Sequence, residues 1–100
     1  MNIQVRNIVN ADVAFSSELG HLVRDSYGAT WRSELIVLDF EGMRNVSPSF
    51  LSQALMPILE STSMDKLAER VQFEHVPNGF EFVLDNIKKA MSAKKSRGAA

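Results

Sequence analysis

Leu35-Ile36-Val37-Leu38 is an unbroken apolar run, followed by Asp39-Phe40 and then by the turn pair Glu41-Gly42. A strand with one wet face alternates polar and apolar side chains, whereas a continuous run of this kind suits a strand buried on both faces. The run is therefore expected at the centre of a sheet, with Glu41-Gly42 breaking it.

The flanking segments fit round such a strand. Ile3, Val5 and Ile8 give an alternating stretch that predicts a first strand. Phe15, Leu19, Leu22, Val23 and Tyr27 share one helical face. Asp12, Ser16 or Ser17 could cap that helix, and Gly28 could end it. Ser47-Pro48 reads as a helix start, with a capping hydroxyl before a proline at the first helical position. Phe50, Leu51, Ala54, Leu55, Ile58 and Leu59 continue it, and Pro57 predicts a kink or break near Met56. Arg70-Val71-Gln72-Phe73-Glu74-His75-Val76 alternates and predicts a half-buried strand. Asn78 is the expected cap of a last helix, with Glu81 three residues on and a stripe of Phe80, Val83, Leu84, Ile87 and Met91.

The order β-α-β-α-β-α implies crossover connections, hence an α/β fold with a small, mostly parallel sheet. Three strands are few. An edge strand from Asp12–Phe15 or Ala29–Arg32 could enlarge the sheet, or a homodimer or another partner could cover a bare edge. At 100 residues the chain is expected to hold one domain over residues 1–91 and a basic, disordered tail over 92–100.

Charge is unevenly spread. All 12 acidic residues and six of the 11 basic ones precede Lys88, so residues 1–87 carry −6 and the remainder +5, for a net charge of −1. That balance argues against a dedicated nucleic-acid binder, which needs a large cationic excess. The tail lysines suit an acidic partner surface or nucleic acid, and equally a solvated helix end at the negative pole of its dipole. The absence of cysteine excludes disulfides, thiolate metal sites and thiol catalysis. With no signal-peptide pattern, a reducing cytoplasm is the expected compartment. No apolar run approaches the roughly 20 residues of a spanning helix, so no membrane is expected.

Little in the chain suggests chemistry. His21 and His75 have no carboxylate or second histidine at metal-ligand spacing, so no metal is expected. The five glycines are isolated, and no serine sits in a nucleophile elbow. Asp39 and Glu41 could form a carboxylate pair on one side of a continuing strand, or simply cap a turn. An enzyme is the reading these residues support least, and no cofactor is expected. The serines Ser47 and Ser49 lie at a helix N-terminus, where free N–H groups and the dipole favour an anion. A phosphoserine there would add about −1.5 to −2 charge.

The stretch Leu38-Asp39-Phe40-Glu41-Gly42-Met43-Arg44-Asn45-Val46-Ser47-Pro48-Ser49-Phe50-Leu51 resembles the signature of the STAS family found in anti-sigma factor antagonists. In that signature a buried strand ends in aspartate, and a serine loop enters a helix. Val46 matches its hydrophobic position and Ser49 the serine that family members have phosphorylated. The stretch is more similar still to STAS-like domains of unknown function, whose strand-Asp-Phe-x-Gly-Val and Ser-Phe elements match Leu38–Met43 and Ser49-Phe50-Leu51. It departs from the antagonists at Ser47, where they carry an acidic residue, at Pro48, where they carry a serine, and at Phe50, where they carry glycine. STAS-like domains usually have an acidic pair where Ser52 and Gln53 stand.

The resemblance implies a regulatory protein–protein interaction module with no catalysis. Its phosphoacceptor candidates are Ser49 and Ser47. Its contact loop and helix comprise Gly42, Met43, Arg44, Asn45, Ser47, Ser52 and Gln53. The implied partner is an ATP-binding GHKL-type kinase or an anti-sigma-like regulator. The rival expectation is a non-switching structural or assembly subunit, completed by a partner or a second copy.

Overall fold

The computed structural model describes the backbone of residues 1–62 and 64–99, and the side chains of residues 1–62 and 66–90. Met91 of the expected stripe and the basic tail 92–100 fall outside the described side chains.

The chain forms an α/β structure whose main sheet is three-stranded and wholly parallel. β1 (Asn2–Gln4) and β5 (Val71–Glu74) flank the central β3 (Ile36–Asp39). Register pairs Ile3 with Leu38, and Leu38 with Phe73. Ile36, Leu38 and Asp39 are buried and Val37 is half-buried, which is the doubly covered strand that the apolar run demands.

β1 is shorter than the alternation predicts. Val5 and Ile8 belong to α1 (Val5–Val9), a helix closed by Asn10 in the left-handed region at φ 55°. Val5 and Val9 are both buried four residues apart, a helical spacing that alternation alone cannot tell from a strand. β2 (Val13–Ala14) pairs in parallel with β4 (Asn45–Val46), making a second, two-stranded sheet. The Asp12–Phe15 segment thus supplies a strand, but to this small sheet. Ala29–Arg32 supplies none: Thr30–Arg32 is a 3-10 turn that buries Trp31.

α2 (Ser17–Tyr27) is capped by Ser16, whose hydroxyl accepts from the Leu19 N–H. Its buried residues are Gly20, Val23 and Tyr27. Phe15 and Leu22, expected in that stripe, are 54% and 46% exposed. For Leu22 the reason is Gly20. A Cβ there would lie 2.4 Å from the Phe50 carbonyl oxygen and 2.7 Å from the Gln53 Cβ, so the helices meet backbone to backbone at this point. That contact turns Gly20, Val23 and Tyr27 inward and Leu22 outward, and Phe15 lies before the Ser16 cap, outside the helix. Tyr27 closes the other end of the seam, its hydroxyl donating to the Ala54 carbonyl at 2.5 Å.

α3 (Pro48–Ser61) buries Phe50, Leu51, Ala54, Leu55, Ile58 and Leu59. The helix runs through Pro57, so of the expected kink or break the break does not occur. A mid-helix proline removes one hydrogen bond, here the one to the Gln53 carbonyl, and packing of both flanking turns in the core outweighs that loss. A second 3-10 segment, Met64–Glu69, leads into β5. α4 (Phe80–Ala99) starts after Gly79, which takes the cap position expected of Asn78; the Val83 N–H bonds to the Gly79 carbonyl. Phe80 and Ile87 are buried, Val83 and Leu84 half-buried. Among the described residues, no helix is long and apolar enough to cross a membrane.

Candidate functional site

Two places on the molecule concentrate polar groups. The first is the path from β3 to α3. The Asp39 carboxylate accepts the Glu41 N–H at 2.9 Å, which turns the chain at the strand end. Gly42, at φ 83°, completes the turn beside the Arg6 side chain. Arg44 then bonds Asp12 twice, through its N–H to the backbone carbonyl at 2.6 Å and through Nε to the carboxylate at 2.8 Å. β4 follows, so the chain enters α3 from the small sheet and not directly from the central strand.

At the helix entrance the two serines differ sharply. The Ser47 hydroxyl accepts the Phe50 N–H at 3.1 Å and donates to the Phe15 carbonyl at 2.7 Å. It is both the α3 cap and a clasp onto the start of α2. Ser49 is exposed, and its hydroxyl makes no hydrogen bond among the described residues. Pro48 has no N–H, the Phe50 N–H is capped, and the Leu51 N–H bonds to the Ser47 carbonyl at 3.1 Å. The free donor of this first turn is therefore the N–H of Ser49 itself. Of the expected contact residues, Gly42, Arg44 and Asn45 are exposed, and Ser47, Ser52 and Gln53 half-buried. Met43 is not on the surface. It is 7% exposed and belongs to the core, so it offers a partner nothing.

The second place was not legible from spacing. Register sets Asp39 beside Glu74, so the next residue of the β5 chain, His75, reaches the end of β3. His75 takes a left-handed backbone at φ 51° and brings Nδ1 to 2.9 Å from the Asp39 carboxylate. An ionised carboxylate only accepts, so Nδ1 carries the proton and donates. Gln4 Nε2 adds a long contact to the other oxygen at 3.4 Å, so Asp39 gathers the ends of all three main strands. The Glu41 N–H, and next the His75 ring, hold the Asp39 carboxyl below its ordinary range. The hydrogen bond to Asp39 raises the His75 pKa.

Ligand atoms of Asp39, Glu41 and His75 lie within 4.8 Å of one another, close enough to touch one cation. The buried Asp39 oxygen already has two donors, however, and a cation would have to displace the imidazole proton. The cluster is better described as a hydrogen-bonded staple.

The staple has a pH signature. A raised histidine pKa gives stability that is fully present below the ordinary value of 6.5 and lost as pH rises through the folded value. A lowered aspartate pKa gives stability present above 3.8 and lost as pH falls through the folded value. His75→Asn, which keeps a residue tolerant of the left-handed backbone, is thus expected to cost most between about pH 4 and 6.5. Urea melts at pH 5.5 and pH 8.5 test this. A gap from wild type of equal size at both would remove the staple.

No family model, no curated protein and no solved structure matches the chain.

Proposed function

We propose that the chain is a non-catalytic, cytoplasmic regulatory module of the anti-sigma-antagonist type. In this reading it docks a protein partner through the Ser49 corner, and phosphorylation of Ser49 releases the partner. The observation that carries this is the division of labour between the serines. Ser47 holds the structure with both functions of its hydroxyl, and Ser49, two residues on, has a free hydroxyl in solvent. A phosphate on Ser49 would sit beside the free N–H and the positive end of α3, so the fold tolerates it. Its effect would fall on the outer surface.

That surface suits a partner. Phe15 is exposed and is tied through its carbonyl to Ser47, so an apolar side chain belongs to the same corner as Ser49. Arg44 and Asn45 supply polar groups. A phosphate brought against a docked carboxylate costs several kcal/mol when water is excluded. The resemblance of residues 38–51 to the STAS signature points to a GHKL-type kinase or an anti-sigma-like regulator as the partner.

The test compares Ser49→Asp and Ser49→Ala against a purified GHKL-type kinase from the same cell. Ser49→Ala is expected to bind as wild type does, and Ser49→Asp at least about tenfold more weakly, a difference of about 1.4 kcal/mol. Mass spectrometry after incubation with the kinase and Mg-ATP is expected to find phosphate on Ser49 and none on Ser47. Equal affinity of the two variants would remove the switch.

A further inference from the structure

Asn78 is the asparagine of this chain that a glycine follows; Asn2, Asn7, Asn10, Asn45 and Asn86 precede isoleucine, alanine or valine. The side-chain amide carbon of an asparagine lies within reach of the next residue's backbone nitrogen. A side chain on that next residue hinders the approach, and glycine has none. The structure leaves this junction open. Asn78 and Gly79 are both exposed, and a Cβ at Gly79 would meet nothing within 4 Å. They form the middle of a turn that the Phe80 N–H closes on the Pro77 carbonyl at 3.1 Å. Gly79 stands at φ 83° and Asn78 has no positive φ, which makes the turn type II. Among the described residues the Gly79 N–H has no backbone acceptor.

We infer that Asn78 is a site of spontaneous covalent modification, in which the Gly79 nitrogen attacks the Asn78 side-chain carbonyl carbon. The bond from the Gly79 nitrogen to Cγ forms, and the bond from Cγ to the side-chain amide nitrogen breaks. The departing nitrogen takes the Gly79 proton and leaves as ammonia. The five-membered imide that remains takes up one water. Opening at one carbonyl gives aspartate, and opening at the other gives isoaspartate, whose main chain runs through Cβ. Water is the one co-reactant. Ring closure requires the peptide plane between Asn78 and Gly79 to rotate out of its type II orientation. One main-chain hydrogen bond spans that turn, and the space beside Gly79 is empty, so the plane turns while the start of α4 stays in place.

The two products act differently on the fold. Aspartate adds one negative charge at the positive end of α4, where the helix dipole favours it. Isoaspartate adds the same charge and also one main-chain atom between the buried Pro77 and the buried Phe80. The Phe80 ring lies 5.2 Å from Phe40 and 5.1 Å from Phe73, so the extra atom acts directly on the aromatic cluster. The Gly79 carbonyl, which accepts the Phe82 and Val83 N–H groups at the helix entrance, is displaced with it. Isoaspartate therefore loosens α4 from the sheet, and aspartate does not.

The experiment ages the full, folded chain at pH 8.5 and 37 °C and follows each asparagine by peptide mass spectrometry. Asn78 is expected to lose its amide at least about tenfold faster than Asn10 or Asn45, since glycine alone leaves the attacking nitrogen unhindered. Isoelectric focusing is expected to show one added negative charge, and isoaspartyl methyltransferase is expected to label the peptide that holds residue 78. Asn78→Gln would need a six-membered ring and is expected to keep its amide over the same time. The isoaspartate fraction is expected to melt below the Asn78→Asp chain, which carries the same charge on an ordinary backbone. Circular dichroism confirms that the chain stays folded during ageing. Loss of the amide at Asn78 no faster than at Asn10 and Asn45 overturns the inference. So does loss that yields aspartate without isoaspartate, because direct hydrolysis forms no ring.

Discussion

Gly20→Ala is expected to lower the melting temperature by about 8–16 °C, although alanine is the better helix former. In a helix interior the change from glycine gains about 1 kcal/mol of propensity. Against it stands the seam with α3. The added Cβ would meet the Phe50 carbonyl oxygen at 2.4 Å and the Ala54 nitrogen at 3.0 Å, and both are backbone atoms of a helix. They cannot swing aside as a side-chain tip can. The helices must separate, which loosens Tyr27 from Ala54 and opens the contact round Phe50. Overpacking of this kind costs about 1–3 kcal/mol or more. A net loss of about 2 kcal/mol corresponds to the stated shift in a domain of this size. Ser17→Ala, on the exposed start of α2, is the control and is expected to shift little. Thermal melts decide the matter, and a Gly20→Ala chain as stable as wild type would show that the seam has room.

The same glycine explains why part of the fold was illegible in the sequence. A pattern of apolar residues assigns Leu22 to the buried face because glycine carries no hydrophobic signal, and extends that face to Phe15, which lies before the cap. Where two backbones touch, the small residue defines the face and the large ones are turned outward. The central strand and α3 were legible for the opposite reason. Their signals are local: an unbroken apolar run, a capping serine, a proline at the first position, and side chains at helical spacing that all reach the core. β2 and β4, with two residues each, carry no periodicity to detect. Pro57 has a local signal that tertiary packing overrides.

The candidate site divides along the same line. The Ser47 cap was readable because capping involves neighbours in sequence, and the exposure of Ser49 follows from its place in the first turn. Met43 was misplaced because a loop position says nothing of the side chain's direction. The meeting of Asp39 and His75 spans 36 residues and depends on the β3–β5 register. The alternation of residues 70–76 identifies a strand without saying what lies beside its end. The pairing of Leu38 with Phe73 sets Asp39 beside Glu74, and the left-handed backbone of His75 then brings its ring to the carboxylate.

Phe40→Ala is expected to cost about 3–5 kcal/mol. Phe40 is fully buried and follows directly on the central strand. Its ring lies 5.2 Å from Phe80 and 6.4 Å from Phe73, and those two rings are 5.1 Å apart, so one aromatic cluster joins β3, β5 and α4. Truncation leaves a cavity that three different elements would have to close together. A domain of this kind has about 5–15 kcal/mol in total, so the variant would be near the limit of folding at 37 °C. Phe40→Leu refills most of the volume and is expected to lose far less. The cluster also carries the loop towards the Ser49 corner, since the Phe40 N–H bonds to the Glu74 carbonyl and the Phe40 carbonyl accepts the Met43 N–H. Urea unfolding of Phe40→Ala, Phe80→Ala and the double variant separates the pair from the burial. A coupling of about 0.5–1.5 kcal/mol between them is expected. Strict additivity would mean that each ring acts through its own burial and not through the other.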